Sequence, residues 1–417
     1  MTYGLLGEHL SHSYSPLIHS MLGDYEYRLF EVAPCDIEGF VKCGDFQGLN
    51  VTVPYKKTVM PFLDSLSERA ERIGSVNVIV RRPDGTLFGD NTDYYGFYCL
   101  VKSSRIQIKD KKVLVLGSGG ASLAVKAVLS DMEAGSVTVI SRSGEDNYEN
   151  ISRHYDADVI VNTTPVGMYP KNGESPLDIS PFKKLSGVID IIYNPIKTAL
   201  VLQAEELGIP AVGGLRMLAA QAVATWEVFF SKEAGGKLVD KIEKKLSSKM
   251  KNVVIIGMPG SGKTTLARRL AAMTGREFID IDAEITKASG KTALEIFETE
   301  GEGAFRDLEA KITAEVCKMS GCIISTGGGV VTRKENKNSI RQNATVVFLF
   351  RNINTLATRG RPLSITNSPE ALWEARSPMY NEWSDIKMLN MGVNPTAKNL
   401  IRALGLDYIK RENGDNK

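Results

Sequence analysis

The sequence predicts an α/β protein in three parts: an N-terminal α/β substrate lobe, a Rossmann dinucleotide-binding domain and a P-loop domain. Three observations carry this. Residues 113–116 and 253–256 are short, apolar, Val/Leu/Ile-rich runs of the kind that form buried parallel strands. Each ends in a glycine cluster, at Gly117 and Gly257, and leads into a helix-compatible segment, as in an α/β unit whose first turn binds phosphate. The two turns lie about 140 residues apart, which places them in separate domains. Upstream, residues 3–7, 27–32 and 49–53 read as strands with helical pieces between them. The expected division is 1–100 for the lobe, closed by helices from about 216–248, then 101–215 for the Rossmann domain and 251–417 for the P-loop domain.

Composition narrows the function. At 417 residues the chain is too long for one ordinary core, and 43% hydrophobic with 24% charged residues is a globular composition. Lys+Arg 51 against Asp+Glu 49 leaves +2, so no positive excess exists to bind a phosphate backbone, and nucleic acid is not an expected partner. No basic stretch followed by an apolar run marks a secretory signal, and no apolar run approaches the roughly 18 residues of a membrane span. Cys35, Cys43, Cys99, Cys317 and Cys322 form no CxxC pair, which supports neither a zinc site nor a disulfide framework and fits the cytoplasm. His9, His12, His19 and His154 lack metal-ligand spacing, and Trp226, Trp373 and Trp383 read as packing residues.

Between the halves, residues 237–251 are rich in Lys and Glu, with Leu238, Ile242, Lys245 and Leu246 at helical spacing. This reads either as an amphipathic helix closing the first half or as a solvated helical linker. The seam is expected near 247–251.

In the second half, residues 257–264 fit GxxxxGK[ST], with a strand before them and a helical pattern after them, the context that defines a P-loop. Backbone N–H groups of Gly260, Ser261, Gly262 and Thr265 are then expected to cradle ATP phosphates, with Lys263 on the outer phosphates and Thr264 on Mg²⁺. Asp280 and Asp282 end another apolar run. Alternation along a strand would put both on one side at its carboxyl end, suited to a metal-bound water and an acceptor hydroxyl, unless they are solvated turn residues. Arg306 follows, and a strand at 322–325 runs into Gly327, Gly328 and Gly329. Over about 251–404 this half resembles shikimate kinase, a P-loop family with the nucleoside-monophosphate-kinase fold. The resemblance implies that Asp282, Arg306, Gly328 and Arg376 hold shikimate, the arginines clamping its carboxylate. It implies that Asp280 serves the Mg²⁺ shell, that Arg361 approaches the transferring phosphoryl and that Arg359 lies against adenine. The segment 359–361 is shorter than is usual in that family.

In the first half, Gly117, Gly119, Gly120 and Ala121 follow the strand at 113–116, and a second apolar run at 136–140 ends at Ser141 and Arg142. An arginine there accommodates the 2′-phosphate of NADP, where an acidic residue would select NAD; a surface charge is the alternative. Lys56 and Asp93, near strand ends, suit an acid/base pair for a carbonyl oxygen during hydride transfer, although by residue type alone such a pair is more often a surface ion pair. The ordered set at 13–16, 52–56, 75–77, 91–93, 162–168 and 214–221 makes residues 1–248 resemble shikimate dehydrogenase. That resemblance implies that Ser13 and Ser15 bind the carboxylate of shikimate and Thr52, Asn77, Asp93 and Gln221 its hydroxyls. It implies that Lys56 and Asp93 form the catalytic dyad, that Tyr193 lies beside the substrate, and that Thr163, Met168, Gly214 and Met217 border the nicotinamide of NADP(H).

The expectation is therefore a bifunctional enzyme acting on the small molecules 3-dehydroshikimate and shikimate, with its oligomeric state open. The alternative is a quinate/shikimate dehydrogenase using NAD, with a kinase-like domain serving as a sensor.

Overall fold

A computed structural model of the protein describes residues 2–10, 13–353 and 368–409. The chain divides into two compact units, Met1–Leu246 and Ser247–Lys417.

The first unit holds two sheets. In the first, β1 (Thr2–Gly7), β2 (Glu26–Glu31), β3 (Gly48–Val51), β4 (Ser65–Leu66), β5 (Val78–Arg81) and β6 (Leu87–Asp90) take the order β2-β1-β3-β5-β6-β4. β1 pairs in parallel with β2 and β3, while β5 runs antiparallel to both β3 and β6. This mixture brings chemistry to one edge. Asn50 pairs with Val78 and Val78 with Asp90, so the residues leaving β3, entering β5 and leaving β6 emerge side by side. The strands expected at 27–32 and 49–53 end one and two residues sooner, at Glu31 and Val51.

The second sheet, in the order β11-β10-β9-β7-β8, is wholly parallel: β7 (Lys112–Leu116), β8 (Ser136–Ile140), β9 (Val159–Asn162), β10 (Gly187–Asp190) and β11 (Ala211–Val212). Its inner strands β7, β9 and β10 are buried on both faces, which explains their unbroken apolar runs. Val113 and Val115 pack with Phe97, Val125 and Val128 on one side, while Leu114 and Leu116 pack with Ile160, Val188 and Leu200 on the other. The helix Leu215–Phe230 returns against the helices Ser15–Leu22 and Asp93–Ser104, with Phe229 buried beside Tyr3 and Val78. The helix Leu238–Met250 follows, buried at Val239, Ile242, Leu246 and Met250. Lys245, expected on that stripe, is exposed. Arg216 anchors this helix through Asp240 at 2.8 Å and Glu243 at 2.6 Å.

The second unit is a parallel sheet, β13-β14-β12-β15-β16, of β12 (Asn252–Ile256), β13 (Phe278–Asp280), β14 (Ile323–Ser325), β15 (Ala344–Phe350) and β16 (Ile386–Leu389). Central β12 faces helices on both sides, Val254 and Ile256 toward one layer and Val253 and Ile255 toward the other. One expectation is corrected here. Asp280 and Asp282 do not alternate along a strand: β13 ends at Asp280, which caps the helix Ile281–Ser289 by accepting from the backbone N–H of Asp282 at 3.1 Å and Ala283 at 3.4 Å. Aspartate is a strong N-cap, and its carboxylate turns the chain into the helix before a second strand pair can form. Among the described residues, no helix is long and apolar enough to cross a membrane.

Candidate active sites

Lys56 lies in the turn after β3, and Asp93 opens the helix Asp93–Ser104 after β6. The antiparallel edge described above makes them meet: Lys56 Nζ donates to Asp93 Oδ2, with the two side chains only 16% and 9% exposed. Asn77, entering β5, donates through Nδ2 to Asp93 Oδ1 at 2.9 Å. Both carboxylate oxygens are thereby engaged. The lysine stem also lies over the dinucleotide turn, since a Cβ on Gly120 would sit 3.6 Å from Lys56 Cδ. A proton donor therefore stands beside the first turn of the helix Gly120–Asp131.

Other expected residues surround this pair less directly. Ser13 Oγ accepts from the Ser15 N–H at 3.2 Å, and the Thr52 N–H follows β3 to bond Leu6 O at 2.9 Å. Gln221 Nε2 donates to Leu218 O at 3.0 Å, on a helix packed so closely that a Cβ on Gly96 would meet Gln221 Cβ at 3.0 Å. Tyr193 stands edge-on to Tyr14 with ring centroids 6.1 Å apart, and burial pushes its phenol pKa up, keeping it neutral. Met217 is buried one turn before Gln221, and Met168 is exposed.

The dinucleotide turn fits a pyrophosphate. Gly117 has φ +99°, with Thr163 and Thr164 packed where a side chain would go, and the Thr163 hydroxyl donates to Leu116 O at 2.7 Å. Nothing stands within 4 Å of a Cβ on Gly119, leaving open approach to the helix N-terminus at Gly120 and Ala121. Beyond β8, Ser141 N–H bonds Asp146 O at 3.1 Å, and the Asp146 carboxylate is taken by His154 at 2.7 Å. Arg142 is exposed and, among the described residues, forms no ion pair. Gly214 caps the helix Leu215–Phe230 with its N–H on Ile192 O at 2.8 Å.

In the second unit the P-loop closes a cavity of about 390 Å³ lined by Gly260, Gly262, Lys263, Thr264, Thr265, Asp282, Arg306, Glu309, Gly327, Gly328, Gly329 and Arg376. Gly262, at φ +95°, caps the helix Lys263–Thr274, and the buried Lys263 donates to the carbonyls of Gly257 and Met258, each at 3.0 Å. Arg376 donates to Gly328 O at 3.1 Å, and Arg306 pairs with Glu309 at 2.7 Å and Glu302 at 3.2 Å. Burial pushes the Glu309 carboxyl up while Arg306 pulls it down. Asp280, spent on its cap, is not among the lining residues. Thr264 Oγ lies 3.1 Å from Ser325 Oγ. Among the described residues, no cluster of three His, Cys, Asp or Glu side chains is placed to hold a metal. A magnesium ion here would therefore take the Thr264 hydroxyl, phosphate oxygens and water, a donor set that suits this ion. Arg359 and Arg361 lie outside the described residues. The sequence reading overlooked Glu309 and Tyr380, whose hydroxyl also donates to Gly328 O. Their spacing from Arg306 and Arg376, three and four residues along a helix, was the available signal.

A lysine–aspartate pair over a Rossmann turn, followed by an arginine-lined pocket over a P-loop, defines a dehydrogenase joined to a small-molecule kinase. Comparison with known proteins agrees. Residues 5–79 match the family described as shikimate dehydrogenase substrate binding domain, and residues 259–404 match the family described as shikimate kinase. The NADP⁺ shikimate dehydrogenase of Clostridium beijerinckii is 38% identical over 256 residues, 57% of this chain and 94% of that protein. A chorismate mutase/shikimate 5-dehydrogenase fusion protein from Clostridium acetobutylicum shows 40% identity over 59% of this chain and 96% of its own, with a TM-score of 0.56. Quinate dehydrogenase from Corynebacterium glutamicum in complex with NAD shows 28% identity over 60% of this chain and 99% of its own, with a TM-score of 0.54. The chain belongs to the shikimate dehydrogenase family and carries a shikimate kinase domain in the same polypeptide.

Proposed function

We propose that the first unit reduces 3-dehydroshikimate to shikimate with NADPH and that the second phosphorylates shikimate to shikimate 3-phosphate with MgATP. The observation that carries the first step is the Lys56–Asp93 pair lying over Gly120. NADPH supplies the hydride when bound; residues 117–121 would hold its pyrophosphate, Ser141 and Arg142 its 2′-phosphate, and Thr163, Met168, Gly214 and Met217 would border its nicotinamide. Lys56 delivers a proton to the carbonyl oxygen, and Asp93, held by Asn77, keeps the ammonium aimed at it. Ser13 and Ser15 receive the carboxylate. Thr52, Asn77, Tyr193 and Gln221 match the substrate's remaining polar edges, since each hydroxyl buried without a partner costs affinity.

In the second unit, Arg306 and Arg376 suit a planar carboxylate, which places the ring against Gly328. Asp282 orients the acceptor hydroxyl, and Lys263 and Arg361 stabilise charge on the moving phosphoryl. Thr264, with phosphate oxygens and water, would hold the magnesium ion that neutralises the phosphates; Asp280, expected in that shell, could reach it only through water and only with the carboxylate oxygen its cap leaves. Both units act at one ring position, so the intermediate must leave the first pocket before it enters the second. We place both reactions in the cytoplasm.

Mass spectrometry of purified protein given 3-dehydroshikimate, NADPH and MgATP tests the whole reading, with shikimate 3-phosphate as the expected main product. Lys56→Ala is expected to abolish reduction and spare phosphorylation of added shikimate; Lys263→Ala is expected to do the reverse. Either variant retaining both activities at wild-type level overturns its site. The likeness to a quinate dehydrogenase makes quinate with NAD⁺ the second substrate pair to compare, and the exposed Arg142 favours NADP⁺ over it.

A further inference from the structure

A buried hydrogen-bonded chain runs beneath the dehydrogenase site, and the chemistry above leaves most of it unused. The Tyr27 hydroxyl donates to Asn50 Oδ1 at 2.8 Å, and Asn50 Nδ2 donates to Thr225 Oγ1 at 3.0 Å. The hydroxyls of Thr225 and Thr92 meet at 3.0 Å. Thr92 Oγ1 lies 3.3 Å from Asn77 Oδ1 and 3.2 Å from Asn77 Nδ2, the same amide nitrogen that donates to Asp93 Oδ1 at 2.9 Å. At the far end Tyr27 stacks on His19 with ring centroids 3.8 Å apart. The chain thus runs from the helix Ser15–Leu22, which carries His19, to the acid/base end of the pocket.

Thr225 is the junction of three elements. Asn50 lies on β3, two residues before Thr52. Thr92 directly precedes Asp93. Thr225 itself lies on the helix Leu215–Phe230, four residues after Gln221 and eight after Met217, and so shares their face. Each element carries a residue assigned to substrate or cofactor, and the Thr225 hydroxyl bonds the other two. Its neighbours Ala219, Ala220, Ala222 and Ala224 are buried and apolar, so packing alone would be met by valine. Direction also passes along the chain. Because Thr225 accepts from Asn50, its own proton is available to Thr92, and Thr92's proton is then available to Asn77 Oδ1. With the Thr92 backbone N–H also donating to Asn77 Oδ1 at 2.7 Å, the Asn77 amide nitrogen faces Asp93; the reversed amide would set oxygen against carboxylate.

We infer that Thr225 is a positioning residue for the dehydrogenase reaction. With Asn50 it fixes the helix bearing Gln221 and Met217, and through Thr92 and Asn77 it holds Asp93 against Lys56. The inference rests on the dehydrogenase reading given above.

The test is NADP⁺-dependent oxidation of shikimate by the full chain, comparing wild type with Thr225→Val, Thr225→Ser and Asn50→Leu. Misplaced reacting groups cost on the order of tenfold or more, so Thr225→Val is expected to lower kcat about tenfold and raise KM for shikimate severalfold. Its phosphorylation of shikimate should stay near wild type. Thr225→Ser, which keeps the hydroxyl, should recover kcat to within about threefold of wild type. Asn50→Leu breaks the chain from its β3 side and leaves the helix sequence unchanged, so it carries the test if Thr225→Val fails to fold, and a loss of kcat is expected there too. An active wild type whose Val and Leu variants match it overturns the inference alone, as does a Ser variant as impaired as the Val variant. A wild type that does not oxidise shikimate overturns the dehydrogenase reading and the inference with it.

Discussion

Arg306 and Glu309 form a buried ion pair at 2.7 Å inside the kinase pocket, and Glu309 Oε1 is left without a hydrogen-bond partner among the described residues. One turn of helix separates them, and the glutamate is 0% exposed. The arginine is thus held in place by the protein's own carboxylate.

Removing Glu309 leaves a buried guanidinium with, among the described residues, only the half-exposed Glu302 as partner. Breaking a buried pair typically costs about 3–5 kcal/mol, so Glu309→Ala should destabilise the second unit toward the lower end of that range. Glu309→Gln, which keeps an acceptor, should cost less. Urea unfolding of the two variants checks both the size and the order.

Gly329 faces the same arginine. A Cβ there would lie 2.2 Å from both Arg306 Nη1 and Nη2, so Gly329→Ala must displace the guanidinium. Loss of one bidentate carboxylate contact should raise KM for shikimate in the kinase assay about tenfold, a change of about 1.4 kcal/mol, while dehydrogenase rates hold. An unchanged kinase KM would remove Arg306 from the carboxylate site.

Asp190 and His19 predict opposite responses to pH. Burial pushes the Asp190 carboxyl up to about 6, against the bonds it accepts from Thr198, Ile192 and Asn162. The folded state then binds more protons than the unfolded state between about pH 4 and 6, and this contribution to stability falls as pH rises through that window. Burial drives His19 down to about 3, so the folded state binds fewer protons between about pH 3 and 6.5, and its contribution rises with pH. In the wild type the two slopes oppose each other. Asp190→Asn should remove one of them, gaining on the order of 3 kcal/mol relative to wild type between pH 4 and 7.5. Denaturant midpoints of both proteins across this range measure the difference, and parallel curves would contradict the assignment.

Arg276 ties the start of the second unit to its sheet. Its guanidinium donates to the carbonyls of Ser248 and Lys251, beside the Gly321 N–H on Met250 O at 2.9 Å. Arg276→Ala leaves two carbonyls short of a donor and should cost about 1–3 kcal/mol. Calorimetry should show the second unit melting earlier and the first unit unchanged.

Much of this architecture was legible in residue order. Unbroken apolar runs announced β7 and β12 because parallel strands are covered on both faces, and the glycines after them marked the phosphate turns. Lys56 and Asp93 were expected as a pair and Lys263, Arg306 and Arg376 about one pocket, and the structure brings each set together. Asp280 and Asp282 were misread as strand neighbours because alternation and helix capping use the same residue types, and only the hydrogen bonds to the N–H groups of Asp282 and Ala283 distinguish them. Glu309 went unassigned because a carboxylate beside an arginine on a helix is usually a solvated pair; only burial makes it part of a pocket.

The sequence by itself determined which phosphate turns are present, the two families they belong to and the residue types available for chemistry, because those depend on local spacing. Tertiary structure decided which of these side chains touch. Lys56 and Asp93, 37 residues apart, meet because β5 runs antiparallel to both β3 and β6, bringing the ends of those strands to one edge. Asn50 and Thr225 are separated by 175 residues and share a hydrogen bond because a late helix returns beneath the first sheet. Contacts of that range are set by how buried surfaces pack and how every buried polar group finds a partner, and no local pattern in the chain records them.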